Sequence, residues 1–229
     1  MTFPNGDYFE GTYVKCVIPD PDEVAKREKE EAEAAAAAAD AEPPADGEPP
    51  AEEEEKPPIP MITISYRQGK GKYVFKPEEG EEGEEPNLSG GYYEGEFVDN
   101  EKHGHGVMVF PDKSKYEGDF VQGVMHGRGR YEYPSGDFYV GAFAEGIKHG
   151  FGDYFFAASM STFMGRWEKG AFVEGEWVLK DGSRYEGAFE NGRPVGKGAF
   201  TWAKTGNSQS GAWEGAVFKG GKITAGGSA

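Results

Sequence analysis

An aromatic residue followed two places later by glycine recurs at Tyr93, Tyr116, Tyr139, Phe163, Tyr185 and Trp213, with successive starts 23, 23, 24, 22 and 28 residues apart. No other feature constrains the fold as strongly. A period in this range marks units that cannot bury an apolar face alone and must stack on their neighbours.

The stretch from Tyr116 to Phe138 shows the internal grammar: Tyr116-x-Gly118-x-Phe120, then Gly123, then Gly127-x-Gly129-x-Tyr131-x-Tyr133, then Pro134-Ser135-Gly136. Tyr116, Gly118 and Phe120 are two apart, as are Gly127, Gly129, Tyr131 and Tyr133, so in strands each set shares one face. Charged Glu117, Asp119, Arg130 and Glu132 take the other face. Gly123 supplies the freedom of a tight hairpin turn, and Pro134-Ser135-Gly136 returns the chain to the next hairpin. Glycines weaken a strand, but on the aromatic face a missing side chain leaves room for a ring to lie on the backbone.

This pattern resembles the MORN repeat (membrane occupation and recognition nexus), continuously from Tyr93 to about Gly221, with Gly104-x-Gly106, Gly127-x-Gly129, Gly150-x-Gly152 and Gly196-x-Gly198 in matching places. The copy from Phe163 keeps only Gly175 of the second pair, and the copy from Trp213 lacks a Gly-x-Gly half and reads as a cap. The resemblance implies an all-β fold: an elongated single-layer antiparallel meander of hairpins over residues 91–221, with a tail at 222–229. A further copy at the start is split, with Phe9-Glu10-Gly11-Thr12-Tyr13 as its first half and Gly69-Lys70-Gly71-Lys72-Tyr73 as its second. On this reading residues 1–18 hold the tail of a partial repeat (Phe3-Pro4-Asn5-Gly6) and a first strand. Residues 62–76 hold the second strand, and residues 19–61 are an insertion at the turn, whose closure cost grows slowly with length. An independent arm at residues 1–18 is the other reading.

Charge follows this division. Residues 20–56 hold 15 acids and 4 bases and residues 78–85 hold six acids and no base, which together equal the whole formal charge of −17. The repeats are therefore neutral. Asp22 to Ala39 has high helix propensity without an apolar stripe and predicts a solvated helix of about 15 residues within the insertion, followed by a Pro- and Glu-rich tether. Residues 77–90 read as an acidic loop.

Catalytic and metal chemistry find no support in the pattern. Cys16 is the lone cysteine, which gives no disulfide framework or thiolate cluster and suits a reducing compartment. His103, His126 and His149 recur once per repeat, about 10 Å apart, whereas zinc ligands sit about 2 Å from one centre. Glu94, Glu117, Glu186 and Glu214 share a repeat position without acid–base partners. The N-terminal sequence lacks signal-peptide character, no apolar run reaches membrane-span length, and Gly-x-Gly recurs in hairpins rather than before a helix. The expectation is a non-enzyme with no cofactor, no metal, no nucleic-acid partner and no membrane partner.

Function should therefore lie in surfaces. Tyr93, Phe97, Tyr116, Phe120, Tyr139, Phe143, Phe163, Tyr185 and Phe189 read as core aromatics between repeats. The irregular copy supplies candidate partner contacts at Trp167, Phe172, Trp177 and Leu179, with Trp202 and Trp213 farther along, because buried aromatics carry binding energy. Tyr185-Glu-Gly-Ala-Phe…Pro194-Val195-Gly196 and the Gly206-to-Gly211 bridge are similar to the closing repeats of small MORN proteins of the ciliary radial spoke head. That likeness implies a structural scaffold in the axoneme of a cilium or flagellum, docking radial spoke head proteins in support of motility, with a homodimer as a further arrangement. The alternative is an adaptor for membrane lipid or cortical cytoskeleton, which a neutral array with acidic insertions disfavours on electrostatic grounds.

Overall fold

A computed structural model describes residues 2–39, 58–75 and 90–226, with side chains of 34–39 excepted. Fourteen strands lie side by side in sequence order in one sheet. They are β1 (Tyr8–Pro19), β2 (Met61–Val74), β3 (Tyr92–Val98), β4 (Glu101–Val109), β5 (Lys115–Val121), β6 (Val124–Glu132) and β7 (Phe138–Ala144), followed by β8 (Ile147–Phe156), β9 (Ser161–Glu168), β10 (Ala171–Val178), β11 (Arg184–Glu190), β12 (Arg193–Thr201), β13 (Ser208–Glu214) and β14 (Val217–Thr224). Among the described residues one helix, α1 (Pro21–Ala39), stands between β1 and β2. The chain divides into two compact units, Met1–Thr12 with Arg67–Ala229, and Tyr13–Tyr66.

Each hairpin turn in the repeats has two residues. Gln122 and Gly123, Glu145 and Gly146, and Asn191 and Gly192 all take positive φ, the geometry whose twist matches paired strands. The turn also ties repeats together, because Gly123 N–H donates to the carbonyl of Lys102, Gly146 N–H to Met125 and Gly170 N–H to Lys148. The first such turn is Asp99–Asn100, where asparagine tolerates the left-handed backbone that glycine adopts elsewhere. Its Oδ1 accepts the Arg67 N–H at 2.8 Å, and its carbonyl accepts Arg67 Nη2 at 2.9 Å. Between hairpins a second turn acts in the same way: Asp137 accepts the Tyr154 hydroxyl and the Ala157 N–H of the next hairpin at 3.0 and 2.8 Å. Phe3 to Asp7 form the same turn, with Phe3 N–H on Asp7 O and Asp7 accepting the Tyr73 hydroxyl.

The core is made inside this one sheet. Tyr116 lies over Gly118 and its cross-strand neighbour Gly129, and a Cβ on Gly129 would come within 2.5 Å of the ring and its hydroxyl. The ring can then reach past the glycines, and its hydroxyl donates to the Asp119 carbonyl at 3.0 Å, where a β-bulge breaks the register. Tyr93 over Gly95 and Gly106 donates to Glu96 O, and Tyr139 over Gly141 and Gly152 donates to Ala142 O. Each tyrosine also packs at a steep angle against two phenylalanine-position rings. Tyr116 meets Phe120 at 5.1 Å and Phe143 of the next repeat at 5.0 Å, both near 85°, the geometry that the ring quadrupole favours. Ring contacts pass in this way from Phe9 through Phe97, Tyr93, Phe120, Tyr116, Phe143 and Tyr139 to Trp167. Tyr93, Tyr116 and Tyr139 are fully buried although no second layer covers them among the described residues.

Two copies depart from the spacing read in sequence. The final hairpin is complete, because Gly211 pairs with Gly220 and Trp213 with Phe218. Gly215 lies in its turn at φ +62 rather than in a strand. Trp213 therefore fills the phenylalanine slot, and Gln209 fills the tyrosine slot, its side chain lying over Gly220 and donating to Gly221 O. The true start is Gln209, 24 residues after Tyr185, and the apparent 28-residue step came from a turn glycine mistaken for a strand glycine. The last strand reaches Thr224, past the expected boundary of the tail. In the copy from Phe163, Phe163 has no hydroxyl to anchor and stacks face to face on Phe172 at 4.6 Å and 9°.

Phe9 stands over Gly11 and Gly71, the relation that Tyr93 has to Gly95 and Gly106. Strands β1 and β2 have 12 and 14 residues, against 7 and 9 in β5 and β6, so both continue past the repeat. Within Tyr13–Tyr66, Asp20 caps α1 by accepting the Asp22 N–H, and its own N–H donates to Pro60 O. Pro21 opens the helix where an N–H is not needed, and Asp22 and Glu23 favour its first turn. The helix has 19 residues, several more than its composition suggested. Residues 40–57 of the insertion, which hold most of the expected tether, and residues 77–89 of the acidic loop (77–90) lie outside the described residues.

These contacts separate two kinds of glycine. Gly129→Ala must displace the Tyr116 ring and is expected to cost about 3 kcal/mol or more, comparable to losing a buried aromatic. Gly192→Ala in a turn with open space around it strains only φ, for about 1 kcal/mol. Urea denaturation followed by circular dichroism checks the ranking, and equal losses would contradict it.

Candidate functional site

The nine expected core aromatics are all buried, from Tyr93 at 0 % to Phe163 at 7 % exposure. Of the six expected partner contacts, Trp167 and Phe172 are buried as well and belong to the interior. Trp167 fills a phenylalanine slot, meets Tyr139 and Phe172, and donates its indole N–H to Gly152 O at 2.9 Å. Trp177, Leu179, Trp202 and Trp213 are half-buried. The Trp213 indole N–H is buried and directed at the Tyr185 hydroxyl without meeting hydrogen-bond geometry.

A second aromatic row, from the second strand of each hairpin, remains half-exposed on the same face. It runs through Phe110, Tyr131, Tyr133, Tyr154 and Phe156, with ring centroids 4.6–5.8 Å apart. Trp177 and Leu179, then Phe200 and Trp202, occupy the equivalent places on β10 and β12. This row is the part of the aromatic face that the first row leaves open to solvent. It was visible in the Gly-x-Gly-x-Tyr-x-Tyr half of the repeat, but periodicity alone could not tell which of two aromatic sets the other covers.

Basic side chains stand between the two rows. Lys148 Nζ lies 4.6 Å from the Tyr154 ring, 4.7 Å from Trp167 and 5.8 Å from Tyr133 and Tyr139. Lys102 lies 5.8 and 5.9 Å from Tyr93 and Phe120, and Arg67 stacks 4.8 Å from Tyr73. Arg67 and Lys102, with Tyr73, Phe75 and Phe97, line a cleft of about 290 Å³. Burial lowers both lysine pKa values, and Arg67 lowers that of Lys102 further.

The opposite face carries ion pairs across several repeats. Around β5 and β6, Lys115 pairs with Glu117 at 3.0 Å and Arg130 with Glu132 at 2.7 Å. One repeat later the same four places hold Phe138, Val140, Asp153 and Phe155, with Phe138 stacked on Phe155 at 5.1 Å. Phe151, where the preceding repeat has Arg128, is 75 % exposed, and Val140 and Met164 beside it are 42 % and 41 % exposed. Sequence reasoning missed this island. Its signal was Val140 and Met164 at a position that holds Glu94, Glu117 and Glu186 in other copies.

Among the described residues no group of three or more His, Cys, Asp or Glu side chains converges on a metal-sized site, and no helix is long and apolar enough to cross a membrane. His103 and His126 sit opposite Glu96 and Asp119 at the bulges.

Burial, reinforced by Glu96, pushes the Tyr93 pKa up to about 12. Burial, with Asp153 and then Tyr133, pushes Tyr139 to about 12, and Tyr116 is raised by burial and Asp119. Unfolded tyrosine ionises near pH 10. The unfolded chain thus releases protons first, so stability is full below pH 10 and falls as pH rises toward 12. Absorbance at 295 nm together with circular dichroism should show these tyrosines ionising only as the sheet melts; ionisation near pH 10 in a folded sheet would contradict the burial.

Comparison with curated proteins returned no match. The family model described as MORN repeat matches residues 93–115, 116–138, 139–159 and 185–206, each beginning on a tyrosine that lies over a glycine pair or, at Tyr185, over Gly187 and Gly198. The hairpins from Phe163 and Gln209, and the split one from Phe9, lie outside those matches. MORN repeats serve in protein-binding or membrane-binding scaffolds and are typically non-catalytic, and this chain carries four of them by sequence match.

Proposed function

We propose that the chain is a non-catalytic scaffold of a ciliary axonemal complex, a radial spoke head subunit that holds partner chains on its repeat sheet. The observation that carries protein docking is the island at Phe151. It replaces charged positions of neighbouring repeats with exposed apolar ones and contributes nothing to the core on the other face. Such a patch marks a contact surface on an otherwise hydrated sheet. The half-exposed row of Tyr131, Tyr133 and Tyr154 gives the aromatic face a second contact area, so one sheet presents partners on both sides. The free outer edge of β14, beyond which no strand pairs among the described residues, offers main-chain hydrogen bonds to a third.

The likeness of Tyr185 to Trp213 to spoke-head closing repeats supports the ciliary placement. Electrostatics supports a protein partner over anionic lipid, because acids and bases alternate around the island, as in Arg130–Glu132 and Arg166 with Glu168 and Glu174. A lipid-binding face needs an excess of bases.

Affinity isolation of the tagged full chain from demembranated cilia, with mass spectrometry, tests this reading. Spoke-head subunits should co-purify and should be depleted at least tenfold by Phe151→Glu, a change on an exposed site that leaves the fold intact. Recovery on phosphoinositide vesicles without ciliary partners would overturn it in favour of the membrane adaptor.

A further inference from the structure

The basic side chains of the aromatic face occupy one repeat position. Lys102 pairs with Phe97 and Lys148 with Phe143. Arg67 holds the same place on β2, since its carbonyl accepts the Asn100 turn N–H as that of Lys102 accepts Gly123. In the other copies the position is Met125 opposite Phe120, Phe172 opposite Trp167, Pro194 opposite Phe189 and Phe218 opposite Trp213. An apolar residue therefore meets every packing demand there.

Lysine at this place carries a charge into a half-buried ring cage, which disfavours the charged form. Neither Lys102 nor Lys148 makes an ion pair among the described residues, and from β3 to β10 no strand residue on the aromatic face is a carboxylate. Ring contacts recover part of the lost hydration. Folding alone gives no reason for these charges, in a chain of net charge −17 where nearly every other basic strand residue of these repeats faces the other side. A ligand that brings carboxylates does.

We propose that the aromatic face receives an acidic, apolar segment of a partner protein, laid across the strands with carboxylates meeting Lys102 and Lys148. This rests on the docking role proposed above and names the chemistry of the docked chain. The two lysines are two repeats apart, about 19 Å at the strand spacing of a sheet. A helical segment spans that distance in about 13 residues. Its apolar side chains lie on Tyr131, Tyr133 and Tyr154 between the two charges, and an additional acid about 10 Å beyond Lys102 reaches the cleft beside Arg67.

The test uses the full chain and two fluorescein-labelled 20-residue amphipathic helical peptides with the same leucine face. One carries a pair of Glu residues 14 apart, close to four full turns and so on one face of the helix, and the other carries Gln in their place. Fluorescence anisotropy should show the Glu peptide binding about tenfold or more tighter than the Gln peptide, with the preference fading as salt rises. The K102M/K148M chain, which copies Met125 and keeps the fold, should lose the preference, and K102R/K148R should retain it. Equal binding of both peptides, or an unchanged preference in K102M/K148M, refutes the acidic partner while leaving docking on this face intact. Absence of binding by either peptide counts against docking on this face itself.

Discussion

A tyrosine ring lying over two facing glycines is the contact on which this sheet depends. A single-layer sheet has no second layer to bury its apolar side, and ordinary side chains on adjacent strands would hold any ring about a Cβ away from the backbone. Removing both Cβ atoms lets Tyr116 descend onto Gly118 and Gly129, and the descent brings its hydroxyl to the Asp119 carbonyl left free by the bulge. The phenylalanine of the following repeat then packs against the ring at a steep angle. Aromatic area, backbone approach, bulge and hydrogen bond are one device, and the spacing Tyr-x-Gly…Gly-x-Gly is its sequence form.

Because each tyrosine is closed by the next repeat, stability passes from neighbour to neighbour as in other linear arrays. The device tolerates replacement at a cost in order. Phe9 keeps the ring over its glycines but has no hydroxyl, Phe163 turns to stack on Phe172, and Gln209 substitutes an amide that finds Gly221 O.

The alternation of Tyr116, Gly118 and Phe120 made the hairpin, its two faces and the role of the strand glycines legible, because a two-residue period assigns faces without coordinates. It could not rank residues on one face. Trp167 and Phe172 looked like an exposed irregularity, yet a larger ring in a phenylalanine slot and a phenylalanine in a lysine slot fit the interior. Tyr131 and Tyr133 share the face of the core aromatics, and the alternation did not show that they are the row left open. The final repeat was misread because Trp213-x-Gly215 imitates the strand motif while Gly215 turns the chain; only the pairing of Gly211 with Gly220 fixes the register. The Phe151 island required comparing copies position by position, since a lone exposed Phe has no periodic signature.

The sheet thus keeps its buried first-strand rings and its exposed second-strand row and Phe151 island at separate repeat positions. The most direct measurement of the central claim is the proton chemical shift of the strand glycines in the full chain at neutral pH. If the rings lie over the glycines, the α-protons of Gly118 and Gly129 are displaced far upfield by the Tyr116 ring current and return toward ordinary strand values in Tyr116→Leu. Unshifted α-protons in the intact protein would contradict the account.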